Sequence, residues 1–200
     1  MADNYERTRN EMRSEFLKYD QSAMLRKLPL EADEDYIYLS YLGMPCRVGR
    51  RTGIVELKRE EYEEADFSLS MTVYDLLCYA KEGCCLSGRF VPHTGLKVQG
   101  SGVNVNAGFF KNDNSALQGK GEALRRVLSE LGELTELSAD VAAILHPFPF
   151  LPLMVQFWDG DEEFPPTLKF MFDENILDYM HFETTFYFLG SIRSEIRKRL

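Results

Sequence analysis

The chain has 200 residues, 44% of them hydrophobic and 12% aromatic, which is material for one sizeable core without disulfide or metal staples. Its formal net charge is −9, with 32 acidic against 23 basic side chains, a balance that disfavours duplex nucleic acid and anionic membranes as partners. Charged residues make up 28% with no low-complexity run, which excludes wholesale disorder.

No run of about 18 apolar residues offers a membrane span. The opening MADNYERTRNEMRSEF lacks the apolar segment of a signal peptide. Cys46, Cys78, Cys84 and Cys85 form no C-x-x-C pair, and they read as reduced thiols of a cytoplasmic protein.

In chain order, Asp3 or Asn4 caps a first helix with Tyr5, Met12, Phe16 and Tyr19 at spacings near 3.6 residues. A connector with Pro29 and Glu31, Asp33, Glu34 and Asp35 follows. Residues 36–42 (YIYLSYL) predict a strand, Gly43-Met44 a tight turn, and 45–48 a second strand. Arg51-Thr52-Gly53 predicts another turn before a third strand over 54–57, giving a meander. Residues 58–66 read as a solvated helical turn or loop. Ser70 is the expected cap of a helix with Val73, Leu76, Leu77 and Ala80 on its apolar stripe, closed by Gly83.

Residues 84–114 are the least regular, with a short strand expected at 97–99 or 103–105. Ser115 is the expected cap of a third helix, on which Leu117, Leu124, Val127, Leu128 and Leu131 share a face and which Gly132 ends. After the proline-broken HPFPFLP, residues 153–158 and 167–172 predict a late hairpin, and Glu183 or Thr184 begins a closing helix with Phe186, Leu189, Ile192 and Ile196 inward. This order predicts a single-domain α+β fold over 1–200, with a helix and connector at 1–34. Its mainly antiparallel sheet, a meander plus the late hairpin, would carry helices on one side.

The densest chemistry is at Trp158-Asp159-Gly160-Asp161-Glu162-Glu163-Phe164-Pro165-Pro166, with four acids within five residues at the predicted hairpin tip. Such crowding is relieved by solvation, by a basic partner or by a hard cation, although the calcium-loop pattern is absent. Asp173 falls at the far end of the second strand, where capping the next turn suffices to explain it. Arg47, Arg50 and Arg51 cluster near a turn, and Arg193, Arg197, Lys198 and Arg199 suit the last turn of a helix. His93, His146 and His181 have no metal-ligand spacing, and Gly100-Ser101-Gly102 is a weak echo of a phosphate loop.

The segments TVYDLLCYAKEG, LSGRFVP, LRRVLSEL, ADVAAILHPFPFLPLMVQFW, WDGDEEFPP and FMFDENILDYM together resemble a prokaryotic domain-of-unknown-function family, number 3786, across most of 35–200. The resemblance implies one domain in anaerobic metabolism, with relatives sometimes joined to iron–sulfur domains of the kind found beside corrinoid methyl-transfer proteins. This chain has no cysteine run for a cluster, so no cofactor is expected, and an iron–sulfur or corrinoid protein would be a separate partner. The resemblance carries no catalytic residues. The positions it marks for binding are Asp140, Trp158, Asp161, Glu162, Glu163, Phe164, Pro165 and Asp173. Three roles follow: a non-catalytic binding or accessory module, a carboxylate- or metal-dependent enzyme near the acidic hairpin, or an oligomer scaffold.

Overall fold

Among the described residues two five-stranded antiparallel sheets form where one was expected, and the fold is α+β. The computed structural model describes residues 2–96 and 114–200, with side chains from residue 4. The strand expected at 97–99 or 103–105 and the glycines at 100 and 102 lie outside the described residues.

The helix α1 (Ala2–Phe16) is followed by a second short helix, α2 (Gln21–Lys27), in what reads as a connector. Asp20 caps α2 by accepting from Ser22 N at 2.9 Å. The first sheet then runs as an uninterrupted meander: β1 (Glu31–Ala32), β2 (Tyr36–Tyr41), β3 (Met44–Gly49), β4 (Val55–Lys58) and β5 (Tyr62–Glu64). Its two-residue turn is Leu42-Gly43, one residue earlier than predicted, because Tyr41 pairs with Met44. Both turn residues have positive φ, 48° and 78°, as a turn that follows the strands' right-handed twist demands. The segment 58–66, read as a helical turn or loop, instead supplies β5, which pairs Lys58 with Tyr62.

The helix α3 (Phe67–Tyr79) is capped by Asp66, not Ser70: the Asp66 carboxylate accepts from Leu69 N at 2.9 Å. Ten consecutive α3 residues, Leu69 to Cys78, are buried, so this helix is apolar nearly all round and runs through the interior between α1 and α5.

The second sheet has the order β6 (Phe90–Pro92), β10 (Thr167–Asp173), β9 (Leu151–Trp158), β8 (Val141–Phe148) and β7 (Gly132–Leu134). Ser115 lies in a short 3-10 turn (Asn114–Leu117) and does not cap α4 (Gly121–Leu131), which begins beyond it. The prolines at 147 and 152 are absorbed into strands, Pro147 beside an irregularity in register between Leu145 and Phe148. There the Pro147 carbonyl accepts from Leu42 N at 2.9 Å, which ties the meander's turn to the second sheet. The closing helix α5 (Phe182–Arg199) starts a residue earlier than expected, with Phe188, Leu189, Ile192 and Ile196 buried. One continuous cluster of buried apolar side chains draws on both sheets and on α3, α4 and α5.

Candidate functional site

Strand β9 alternates buried and half-buried residues along its whole length, so Trp158 points to the outer face at the strand's end. Lys169 of β10 lies diagonally across, its Nζ 4.6 Å from the Trp158 ring centroid. Beyond Trp158 the chain turns through 159–166. Asp161 Oδ1 accepts from Glu163 N (2.8 Å) and Phe164 N (2.7 Å), and Asp161 N donates to Phe164 O (2.9 Å). The tip is thus a hydrogen-bonded turn held by its own aspartate. These amide bonds hold the Asp161 carboxyl below its usual range.

Asp161, Glu162, Glu163, Phe164 and Pro165 are all exposed. Phe164 is 67% exposed, the largest value among the exposed bulky hydrophobics of the described residues, and it follows Asp161, Glu162 and Glu163 in the turn. Asp140 and Asp159 stiffen the base. Asp140 Oδ2 accepts from Asp159 N (2.7 Å), and Asp159 Oδ1 accepts from Gly119 N (2.8 Å) and Gly160 N (2.9 Å). Asp140, Trp158 and residues 161–165 therefore belong to one end of the β9–β10 ribbon.

Asp173 does not join them. It sits at the opposite end of β10, 1% exposed, and its carboxylate accepts from Ser87 N (2.9 Å), Ser87 Oγ (3.0 Å), Gly88 N (2.8 Å) and Asn175 N (2.9 Å). It clamps the 87–88 loop onto the turn after β10.

Other buried polar groups lie away from the tip, and two of them, Glu195 and Asp75, went unnoticed in the sequence. Glu195 of α5 is 3% exposed, yet it is ionised between two cations. Arg59 reaches its two oxygens at 2.6 and 3.5 Å, and Lys198 Nζ lies at 2.8 Å. Burial alone would raise this carboxyl's pKa, but hydrogen bonds from Arg59 and Lys198 outweigh it and bring it below the ordinary value. Beside this pair, Tyr41 donates to Ser191 Oγ at 2.8 Å, and a cavity of about 180 Å³ opens between β4–β5 and α5. The available signal was positional: Glu195 falls on the same helix face as Ile192 and Ile196.

His93 is buried among Phe172, Phe182 and Phe186, with Nε2 2.8 Å from Thr185 Oγ1. The Thr185 hydroxyl donates to Phe182 O, so His93 is the donor to Thr185. Burial pulls the imidazole down to about 4, which keeps it neutral. Asp75 of α3 accepts from His181 N (2.7 Å) and faces His181 Nδ1 at 2.8 Å. This carboxylate both satisfies an amide at the start of α5 and fixes the half-exposed ring.

The four cysteines are free thiols. Burial pushes Cys46 and Cys78 up to about 12 and raises Cys84, which makes these three poor nucleophiles at neutral pH. Two of the arginines near the second turn have internal duties, whereas Arg51 is 79% exposed. Arg47 lies between the Tyr36 and Tyr62 rings and pairs with Glu56 at 2.8 Å, and Arg50 bonds Gln21 and the Asp33 carbonyl. Among the described residues, no group of three or more His, Cys, Asp or Glu is arranged to hold a metal, and no helix is long and apolar enough to cross a membrane.

Residues 20–194, most of the chain, match the family defined as a domain of unknown function, DUF3786. The chain belongs to the DUF3786 family. The matched span begins at the cap of α2 and ends within α5, so it takes in both sheets and the acidic ribbon tip. No curated protein and no solved structure matches the chain.

Proposed function

We propose that this DUF3786 protein is a binding or accessory module that docks a basic protein partner through the β9–β10 tip. The observation that carries this reading is Phe164, exposed to 67% on a turn locked by Asp161 and directly following the exposed Glu162 and Glu163. A solvated aromatic on a pre-ordered loop costs little further entropy to bind, and the surrounding carboxylates select for a cationic surface. The setting in this proposal is anaerobic metabolism, with an iron–sulfur or corrinoid protein as the partner, which is what the family resemblance implies.

The alternative, a carboxylate- or metal-dependent enzyme at the same tip, draws less support. Asp161 spends one oxygen on backbone amides, Glu162 and Glu163 stand in solvent, and Asp173 is committed at the other end of the ribbon.

The test begins with cross-linking in the native host and purification of the captured protein. That protein should bind the native chain directly, with affinity falling as salt rises. Glu162→Lys with Glu163→Lys, and separately Phe164→Ala, should each weaken it about tenfold or more. A partner that binds both variants as it binds the native chain defeats the proposal.

A further inference from the structure

The cavity of about 180 Å³ between β4–β5 and α5 is lined by the buried residues Tyr41, Leu57, Leu69, Ser191 and Glu195, which form its floor. Its other charged lining residues, Arg59, Glu63, Glu64, Asp66 and Lys198, are exposed and form its mouth. Ser191 and Glu195 are four residues apart on α5 and so share a face.

The hydrogens of the floor's hydroxyls are committed. Ser191 Oγ donates to the Phe188 carbonyl at 2.9 Å, because a carbonyl only accepts. Ser191 therefore accepts from Tyr41, whose hydroxyl lies 2.8 Å away. Both oxygens keep a lone pair, and neither has a hydrogen left to offer. Glu195 is ionised and accepts only. Its Oε1 takes Arg59 at 2.6 Å and Lys198 at 2.8 Å, whereas Oε2 has a long 3.5 Å contact from Arg59. Three buried side-chain oxygens thus ask for donors, and the carboxylate favours a positive one.

Water is the plain occupant of a polar cavity of this size, but it brings two hydrogens and no charge. A primary ammonium brings three N–H groups and the charge. The mouth suits a cation as well. Arg59 and Lys198 are engaged with Glu195, and Glu64 is held by Arg9 and Arg13, which leaves Glu63 and Asp66 to face what enters. Leu57, Ala65 and Leu69 give an apolar wall for an alkyl body. The volume lies below that of pockets for drug-sized ligands, so the body is about two or three carbons.

We propose that this cavity binds a short primary alkylammonium ion, its head donating to Tyr41, Ser191 and Glu195 and its body against Leu57 and Leu69. None of the lining residues belongs to the ribbon tip, so the site stands or falls apart from the tip's role.

Calorimetric titration of the full chain with ethylammonium chloride at constant ionic strength should show one saturable site. Tetramethylammonium has the charge without an N–H, ethanol has a donor without the charge, and potassium has neither N–H nor body. Each should bind at least about tenfold more weakly. Tyr41→Phe keeps the ring and removes one acceptor, while Ser191 keeps its bond to the Phe188 carbonyl. Ser191→Ala removes a second acceptor independently. Each variant that folds by circular dichroism should bind ethylammonium about tenfold more weakly. Absence of saturable ethylammonium binding, which leaves water as the occupant, overturns the proposal. So does equal affinity for potassium, tetramethylammonium or ethanol, or unchanged affinity in a folded variant.

Discussion

Arg59→Gln removes one cation from a carboxylate that is 3% exposed, and its cost separates a buried ion pair from a surface one. Arg59 itself is 38% exposed, whereas its partner's side chain is 4% exposed. The penalty therefore falls on Glu195, which keeps Lys198 but loses the fork that met both of its oxygens. Removing one member of such a pair costs about 3–5 kcal/mol, and the retained Lys198 places this case near the low end, about 3 kcal/mol. For a chain of this length that is a fall in melting temperature of roughly 6–12 °C. Urea unfolding followed by circular dichroism reads it directly.

The paired variant Arg59→Met with Glu195→Met should lie within about 1 kcal/mol of the native protein, since no uncompensated charge remains inside. The acid side gives a second check. Glu195 has a lowered pKa in the fold, so its stabilisation is complete above the ordinary value near 4.5 and is lost as pH falls through the lower folded value. Glu195→Gln should flatten that loss. A cost for Arg59→Gln below about 0.5 kcal/mol, the range of exposed pairs, would refute the reasoning.

His93 provides an opposite chemistry with the same sign. Its folded value near 4 lies below the ordinary 6.5, so stability should drop by up to about 1.4 kcal/mol per pH unit as pH falls between them. The difference in slope between native and His93→Phe, measured by urea unfolding at each pH, isolates this residue. Asp173→Asn replaces an acceptor facing three amides and a hydroxyl with a group that must aim a donor at one of them. It should cost about 3 kcal/mol, and hydrogen exchange at the Ser87, Gly88 and Asn175 amides should quicken selectively. Gly160→Ala would set a Cβ 2.6 Å from Pro166 Cδ and 2.8 Å from Pro166 N, so the ribbon tip must open. Faster proteolysis within 159–166, with about 1–3 kcal/mol of destabilisation, is the expected result.

What could be read from the sequence followed from local composition and spacing. The β-forming residues of YIYLSYL and LMVQFW gave strands, and the late hairpin appeared with Asp173 at the end away from the acidic turn, as two-residue spacing required. The misplaced features depend on partners distant in sequence. Residues 58–66 carry a charge run with no apolar alternation, and they become β5 only because β4 presents an unpaired edge. Ser70 and Asp66 are both good caps, and the choice falls to the residue whose side chain meets the amide of Leu69. One predicted antiparallel sheet became two because β8, where 140–145 reads from sequence as either a helical turn or a strand entry, extends the late hairpin into its own sheet.

The candidate sites divide along the same line. The ribbon tip is local, made of eight consecutive residues, and composition alone marked it. Glu195 draws on Arg59 from 136 positions away, and Asp75 on His181 from 106. A charged residue on an apolar helix face is a visible anomaly, but its partner is named only by the fold.

These distant pairs make α5 the element on which the molecule's polar contacts converge. Asp75 holds its first turn, and Ser191 and Glu195 tie its middle to the meander. Arg59 and Lys198 both meet Glu195, so substitutions at the two should not add independently.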